Sequence, residues 1–164
     1  MIHEVTGDIL LSRAEALAHG VAPHDHFDQG LALSLREQWP AMTKDFRHYC
    51  ATANPKPGSA WIWSGAGSRR IVNLLTQEPS QVPGGKPGRA SSDHVNHELR
   101  ELRHVAEKEK LASIALPRLA TGVGGLDWTV VRPLIDHHLG DLGVPVFLYT
   151  RFEKGVKASE PGLE

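Results

Sequence analysis

Short apolar runs alternate with segments whose apolar positions recur at helical spacing, and this alternation restricts the fold more than any single residue does. Ile2–Thr6 reads as an edge strand and Ala14–Val21 as a buried one. Asp28–Trp39 carries Leu31, Leu33, Leu35 and Trp39, and reads as a helix closed by Pro40. Met42–Ala53 is a second helix. Ser59–Trp63 and Arg70–Leu75 are strand-like, with the run Ser64-Gly65-Ala66-Gly67-Ser68 as a hairpin turn between them. Ser92 is placed to cap a helix over Asp93–Lys110, whose positions Val95, Leu99, Leu102, Val105 and Ala106 share one face. Ser113–Leu116 is a short strand, Thr121–Gly125 a Gly-rich turn, and Asp127 a cap for a helix through Leu139. Val144–Tyr149 is the last strand. The fold class is therefore α/β: a mixed, largely parallel sheet with helices on both faces. Ligands of such sheets collect at the carboxyl ends of the strands.

The chain has 164 residues, enough for one domain with a real core. Residues 1–152 are assigned to that domain, and 153–164 to a polar tail expected to fray. The formal net charge of −1 shows no basic excess that would demand nucleic acid or a membrane surface. Backbone N–H groups can still hold a polyanion locally. The single cysteine, Cys50, excludes an internal disulfide and a Cys-rich metal site. The opening residues carry no signal-peptide pattern, and no run approaches the ~20 apolar residues of a membrane span. A cytoplasmic monomer without a membrane partner is the expectation.

Three segments carry candidate chemistry. In Ala115–Trp128 a strand enters a Gly-rich turn and a helix follows, so the glycines admit a phosphate close to the backbone and the helix start offers N–H groups. A tight turn without a ligand explains that run equally well on physics alone. Phe27-Asp28-Gln29-Gly30-Leu31-Ala32 opens another helix just after a buried strand. Two such openings favour a diphosphate ligand over either alone. Thr6-Gly7-Asp8-Ile9-Leu10 places a carboxylate after the first strand, suited either to an amino group such as that of adenine or to an Asx-type turn. His19, His24 and His26 cluster near the second strand, but their spacing matches no standard zinc pattern, so no metal is assigned. His137 and His138 lie near a helix C-terminus, where positive charge is favoured. No Gly-x-Ser-x-Gly nucleophile elbow occurs.

In this order the three segments resemble the macro domain family over about residues 1 to 150. The run Leu116-Pro117-Arg118-Leu119-Ala120-Thr121-Gly122-Val123-Gly124-Gly125-Leu126-Asp127-Trp128 is the most specific match. It is similar to the branch with terminal ADP-ribose protein glycohydrolase and the antitoxins that remove ADP-ribose from DNA. The resemblance implies a three-layer α/β/α macro domain that needs no cofactor. Its partner would be ADP-ribose, or an ADP-ribosylated protein or nucleic acid. It implies that Asp8 and Ile9 bind adenine and that Tyr149 or Phe152 stacks on it. Gly30, Leu31 and Ala32, with Thr121, Gly122, Val123, Gly124 and Gly125, would hold the diphosphate and distal ribose. Arg118 would prop its loop. The branch's catalytic lysine is replaced by Gln77, and its second-loop Asp by Gly124. Two functions remain open at this point. One is an ADP-ribosyl hydrolase acting on carboxylate esters or nucleic acid, with His24, Asp25 and Asp28 assisting a water and Lys86 or Arg89 closing over the substrate. The other is a non-catalytic ADP-ribose reader.

Overall fold

The computed structural model describes residues 1–65, 69–82, 87–122 and 124–163. The turn around 66–68, Lys86 and Val123 therefore lie outside the described residues. Six strands form one sheet: β1 (Ile2–Gly7), β2 (Ala16–Val21), β3 (Ala60–Ser64), β4 (Arg70–Leu75), β5 (Ile114–Pro117) and β6 (Val146–Phe152), in the order β1-β6-β5-β2-β4-β3. All neighbours pair in parallel except β3, which runs antiparallel to β4. The helices are α1 (Gly30–Gln38), α2 (Pro40–Ala53), α3 (Ser92–Lys108) and α4 (Trp128–Leu139), with one 3-10 turn over Ile9–Leu11.

Side-chain alternation along the strands builds two cores. Ala16, Ala18, Val72, Leu74, Ile114, Leu116, Val146 and Leu148 face α3 and α4, joining Val95, Leu99, Leu102, Val131, Ile135 and Leu139. Leu17, Val21, Ile71, Leu75, Ala115, Phe147 and Tyr149 join Leu35, Met42, Phe46 and Cys50 of α1 and α2 on the other face. This is the three-layer α/β/α arrangement. Near-continuous apolar strands are what a sheet covered on both faces requires.

Several local expectations shift. Pro40 follows Trp39, the C-cap of α1, as expected, and also stands at the start of α2, where its missing N–H costs no helical bond. Ser91, not Ser92, caps α3, its hydroxyl accepting from His94 N at 3.1 Å. Pairing with β1 carries β6 on to Phe152. His138 is not a favoured cation: burial, then His137, Arg100 and Arg103, lower its pKa, and its Nε2 meets Asn96 Oδ1 at 2.7 Å.

The tail does not fray. Asp8 N donates to Val156 O at 2.7 Å, which brings the tail against the end of β1. Glu160 is buried, and its carboxylate accepts from Ser12 Oγ at 2.6 Å, Tyr149 OH at 2.8 Å and Arg13 N at 2.8 Å. Burial and this bond raise the Tyr149 pKa, so the phenol stays a donor. Glu160→Ala would leave two buried hydroxyls without an acceptor, and unfolding in urea should show a loss of about 2–4 kcal/mol. A loss within error would mean that the tail contributes no stability.

Candidate functional site

The carboxyl ends of β2, β4, β5 and β6 meet at one rim, and two clefts lie along it. The first, about 340 Å³, is lined by residues from three stretches: His19–Gly20 with Asp25 and Asp28–Ala32, Gln77 with Pro87, and the turn after β5 from Pro117 to Gly122 with Gly124. The second, about 420 Å³, is lined by Gly7, Ile9, Leu10, Gly30, Leu31, Ser34, Pro117, Tyr149 and Phe152. Gly30, Leu31 and Pro117 belong to both walls, so the clefts run on as one groove. Together they fall in the size range of sites that enclose a small ligand.

α1 begins at the junction, and its start is uncapped. Gln29 makes no side-chain capping bond, and the first helical bond runs from Leu33 N to Gln29 O. The N–H groups of Gly30, Leu31 and Ala32 therefore have no partner within the helix. By contrast, Ser91 and Asp127 cap α3 and α4 with their side chains. Gly30 has φ +58, which a side chain would resist, so glycine is needed to enter the helix at this angle. An uncapped N-terminus in a cleft is an anion site in waiting.

Opposite it lies the turn after β5. Gly125 N donates to Gly122 O, and Leu126 N to Ala120 O. Ala90 N bonds Gly124 O, and the Arg89 guanidinium bonds Gly125 O at 3.3 Å. Arg89 thus braces the turn. Arg118 lies over the Trp128 ring at 4.9 Å, a cation–π contact that braces it from the helix side. A Cβ at Gly124 would sit 2.7 Å from Ala120 O, so no side chain fits there without moving the backbone.

The other candidates divide. Asp8 is buried behind the second cleft and does not line it. Its carboxylate accepts from Leu10 N at 3.0 Å and Gly155 N at 3.0 Å, tying the 3-10 turn to the tail. Ile9 does line the cleft. Tyr149 forms its wall at 5% exposure, whereas Phe152 is 62% exposed and is the ring available for stacking. Asp25 lines the first cleft, but both its oxygens accept from backbone, from Ala22 N at 3.1 Å and Phe27 N at 2.9 Å. Burial raises its pKa. Asp28 is exposed on the cleft wall with no hydrogen bond or ion pair among the described residues. His24 lies away from the first cleft, its Nε2 3.4 Å from Asn54 Oδ1. Gln77 lines the cleft and donates from Nε2 to Gly88 O at 3.2 Å, fastening the segment after β4. Among the described residues no three His, Cys, Asp or Glu side chains converge as metal ligands, and no helix is long and apolar enough to cross a membrane.

Sequence reasoning missed the polar groups beneath the groove. Parallel register sets His19 beside Asn73, and His19 Nε2 lies 2.6 Å from Asn73 Oδ1. Asn73 Nδ2 donates to Trp61 O at 3.4 Å, which orients the amide so that its oxygen faces the imidazole. His19 must then carry its proton on Nε2, leaving the Nδ1 lone pair unprotonated. Burial lowers its pKa to about 4. On the opposite face Glu98 of α3 accepts from Leu75 N at 2.9 Å at the end of β4. Its other oxygen and Thr76 Oγ1 have no partner among the described residues. Burial raises the Glu98 pKa to about 8. The available signals were a histidine inside the apolar run of β2 and a glutamate on the helix face that Val95, Leu99 and Leu102 mark.

The macro domain family profile matches residues 25–135, and the chain belongs to that family. A DNA ADP-ribosyl transferase-DNA ADP-ribosyl glycohydrolase fusion protein from Thermosipho africanus is 26% identical over 93% of this chain. A DNA ADP-ribosyl glycohydrolase from Mycobacterium tuberculosis is 27% identical over 80% of it. The chain spans only 42% and 37% of the lengths of these two relatives. Among solved structures, the macrodomain of Thermus aquaticus DarG superposes with a TM-score of 0.78 at 26% identity, covering 92% of this chain and 98% of that one. Thermosipho africanus DarTG in complex with ADP-ribose gives 0.79 at 22% identity, over 95% of this chain and 42% of that one.

Two pH predictions follow from the buried groups. Between the ordinary glutamate pKa and about 8 the folded state holds a proton on Glu98 that the unfolded state has lost, so this group's contribution is full at acid pH and declines as pH rises through 8. Glu98→Gln should remove that decline, gaining stability relative to wild type at pH 8 and above in urea titrations. Equal slopes in the two proteins would rule out the buried acid. The His19 shift has the opposite sign: the unfolded state binds more protons between about 4 and the ordinary histidine value, so its contribution is present at neutral pH and lost on acidification through about 4. Nitrogen-detected NMR should find His19 neutral as the Nε2–H tautomer at pH 6. A ring that titrates near the ordinary value would contradict the assignment.

Proposed function

We propose that this chain binds ADP-ribose along the rim groove and hydrolyses its bond to a nucleic-acid or carboxylate acceptor without a lysine nucleophile. The observation that carries the reading is the uncapped N-terminus of α1 at the point where the two clefts join. Its N–H groups and the Thr121–Gly122 backbone suit a diphosphate lying between them. The apolar cleft of Ile9, Leu10 and Phe152 suits the adenine, with Asp8 shaping that end through Leu10 N and Gly155 N. The distal ribose then falls toward Gly20, Asp25, Asp28 and Gln77. The DNA ADP-ribosyl glycohydrolases among the relatives, and the ADP-ribose complex among the neighbouring folds, support both ligand and reaction class.

In the proposed reaction a water oxygen bonds to the anomeric carbon of the distal ribose as the bond from that carbon to the acceptor breaks. Asp28, the unpartnered carboxylate, takes the water proton, which ends on the departing acceptor. Asp25 holds the loop that presents Asp28. Developing positive charge on the ribose is countered by the adjacent carboxylates and the oriented diphosphate. Gln77 cannot form a covalent adduct as an amine would, so attack by water is direct. The same replacement, together with the closed space at Gly124, favours the second reading, an ADP-ribose reader.

Gly122 has open space around its would-be Cβ, so Gly122→Glu should fold normally while placing a carboxylate against the diphosphate. Calorimetry should show ADP-ribose affinity reduced by about 100-fold or more, the ~3 kcal/mol scale of an unpaired desolvated charge. Affinity within threefold of wild type would exclude this groove as the diphosphate site. Release of ADP-ribose from a modified oligonucleotide or Glu-linked protein above the spontaneous rate, and its loss in Asp28→Asn, would support the hydrolase. Binding without release from either substrate would support the reader.

A further inference from the structure

A third cleft, about 540 Å³, opens beside the first and is lined by His24, Asp25, His26, Arg47, Cys50 and the segment Pro79–Val82. Asp25 is common to both walls. The three clefts therefore lie in series: the second meets the first through Gly30, Leu31 and Pro117, and the first meets the third through Asp25. If the adenosine and diphosphate fill the outer and central parts, the distal ribose points its anomeric carbon toward Asp25. Whatever is attached to that carbon then has the third cleft before it.

The unpaired charge of this cleft is Arg47. Arg47 is exposed and makes no ion pair or hydrogen bond among the described residues, although its guanidinium carries a permanent charge. His24 and His26 add imidazole donors at the same mouth. Among the described residues of the lining the one carboxylate is Asp25, and its two oxygens already accept from Ala22 N and Phe27 N. Lys44 and His48, next to Arg47 on α2, are likewise exposed and unpaired among the described residues. Asp45 of the same stretch accepts from Trp63 Nε1 at 2.8 Å and keeps its negative charge beside Lys44. Buried Cys50 and exposed Val82 supply apolar wall. A pocket with the Arg47 guanidinium free of partners among the described residues and two imidazoles at its mouth suits a nucleobase with its flanking phosphate better than a neutral stretch of peptide.

We propose that this third cleft is the acceptor subsite, that it takes the nucleotide bearing ADP-ribose in a nucleic-acid strand, and that Arg47 with His24 and His26 holds the adjoining phosphate. The inference rests on the reading that ADP-ribose occupies the groove. It makes Arg47 a specificity determinant, because Arg47 lies outside the two clefts assigned to ADP-ribose itself.

The test compares three probes on wild type, Arg47→Glu and the double variant His24→Ala/His26→Ala: free ADP-ribose, a single-stranded oligonucleotide carrying one ADP-ribose, and a Glu-linked ADP-ribosyl peptide. Wild type should bind the modified oligonucleotide more tightly than free ADP-ribose, and the preference should weaken with salt. Arg47→Glu should keep its affinity for free ADP-ribose within twofold while losing at least tenfold for the oligonucleotide, with a shallower salt slope. The histidine variant should lose in the same direction by a smaller factor. Unchanged oligonucleotide affinity in Arg47→Glu, with free ADP-ribose still bound, overturns the subsite alone. A larger loss on the peptide than on the oligonucleotide also overturns it, because the cleft would then belong to a protein acceptor. Failure of wild type to bind free ADP-ribose overturns the functional reading beneath it, and this proposal falls with it.

Discussion

The parallel register of β6, β5, β2 and β4 is the constraint on which everything else depends. Because these strands point the same way, their carboxyl ends and the loops that follow them converge on one rim. The loop after β2 supplies Asp25, Asp28 and the start of α1, that after β4 supplies Gln77, and that after β5 supplies the Thr121–Gly122 turn. An antiparallel arrangement would send alternate loops to the far side. The groove is thus a property of strand direction before it is a property of any residue. The one antiparallel strand, β3, lies at the edge beyond β4, where reversal costs the site nothing.

Register also decides the buried polar chemistry. His19 pairs with Asn73 across β2 and β4, so a side chain that would be costly alone in a dry layer has a partner at 2.6 Å. Its ring reaches the cleft as a neutral group. Glu98 is less well served, with one oxygen on Leu75 N and the other unpartnered among the described residues. It remains protonated at neutral pH because burial makes the carboxylate too costly. The end of β4 is thereby held from the α3 face by a neutral acid and from the cleft face by Gln77, whose amide fastens the following segment to Gly88. Gln77 is thus a positioning amide at the end of β4.

Much of this was legible in the sequence because its causes are local. Asp127 as a cap is decided by its own side chain and Thr129 two residues on. The strand positions follow from apolar runs, and the glycines of the loops after β2 and β5 announce turns that need little side-chain bulk. What stayed hidden depends on contacts distant in sequence. Ser91 and Ser92 are both competent caps, and only the packing of α3 chooses between them. The tail is polar and looked free to fray. Glu160 is nevertheless drawn inward by Ser12 and Tyr149, residues that nothing near position 160 announces. Asp25 and Asp28 are equivalent as letters three residues apart, yet the fold bonds one to backbone and leaves the other open to the cleft.

The central claim is that the groove formed by strand direction holds a diphosphate against the uncapped start of α1. A crystal structure of the protein soaked or grown with ADP-ribose tests it most directly. The account predicts the diphosphate between the Gly30–Ala32 backbone and Thr121–Gly122, the adenine beside Phe152, and the distal ribose next to Asp28. A ligand whose phosphates lie away from the N-terminus of α1, or whose adenine occupies the Arg47 cleft, would contradict it.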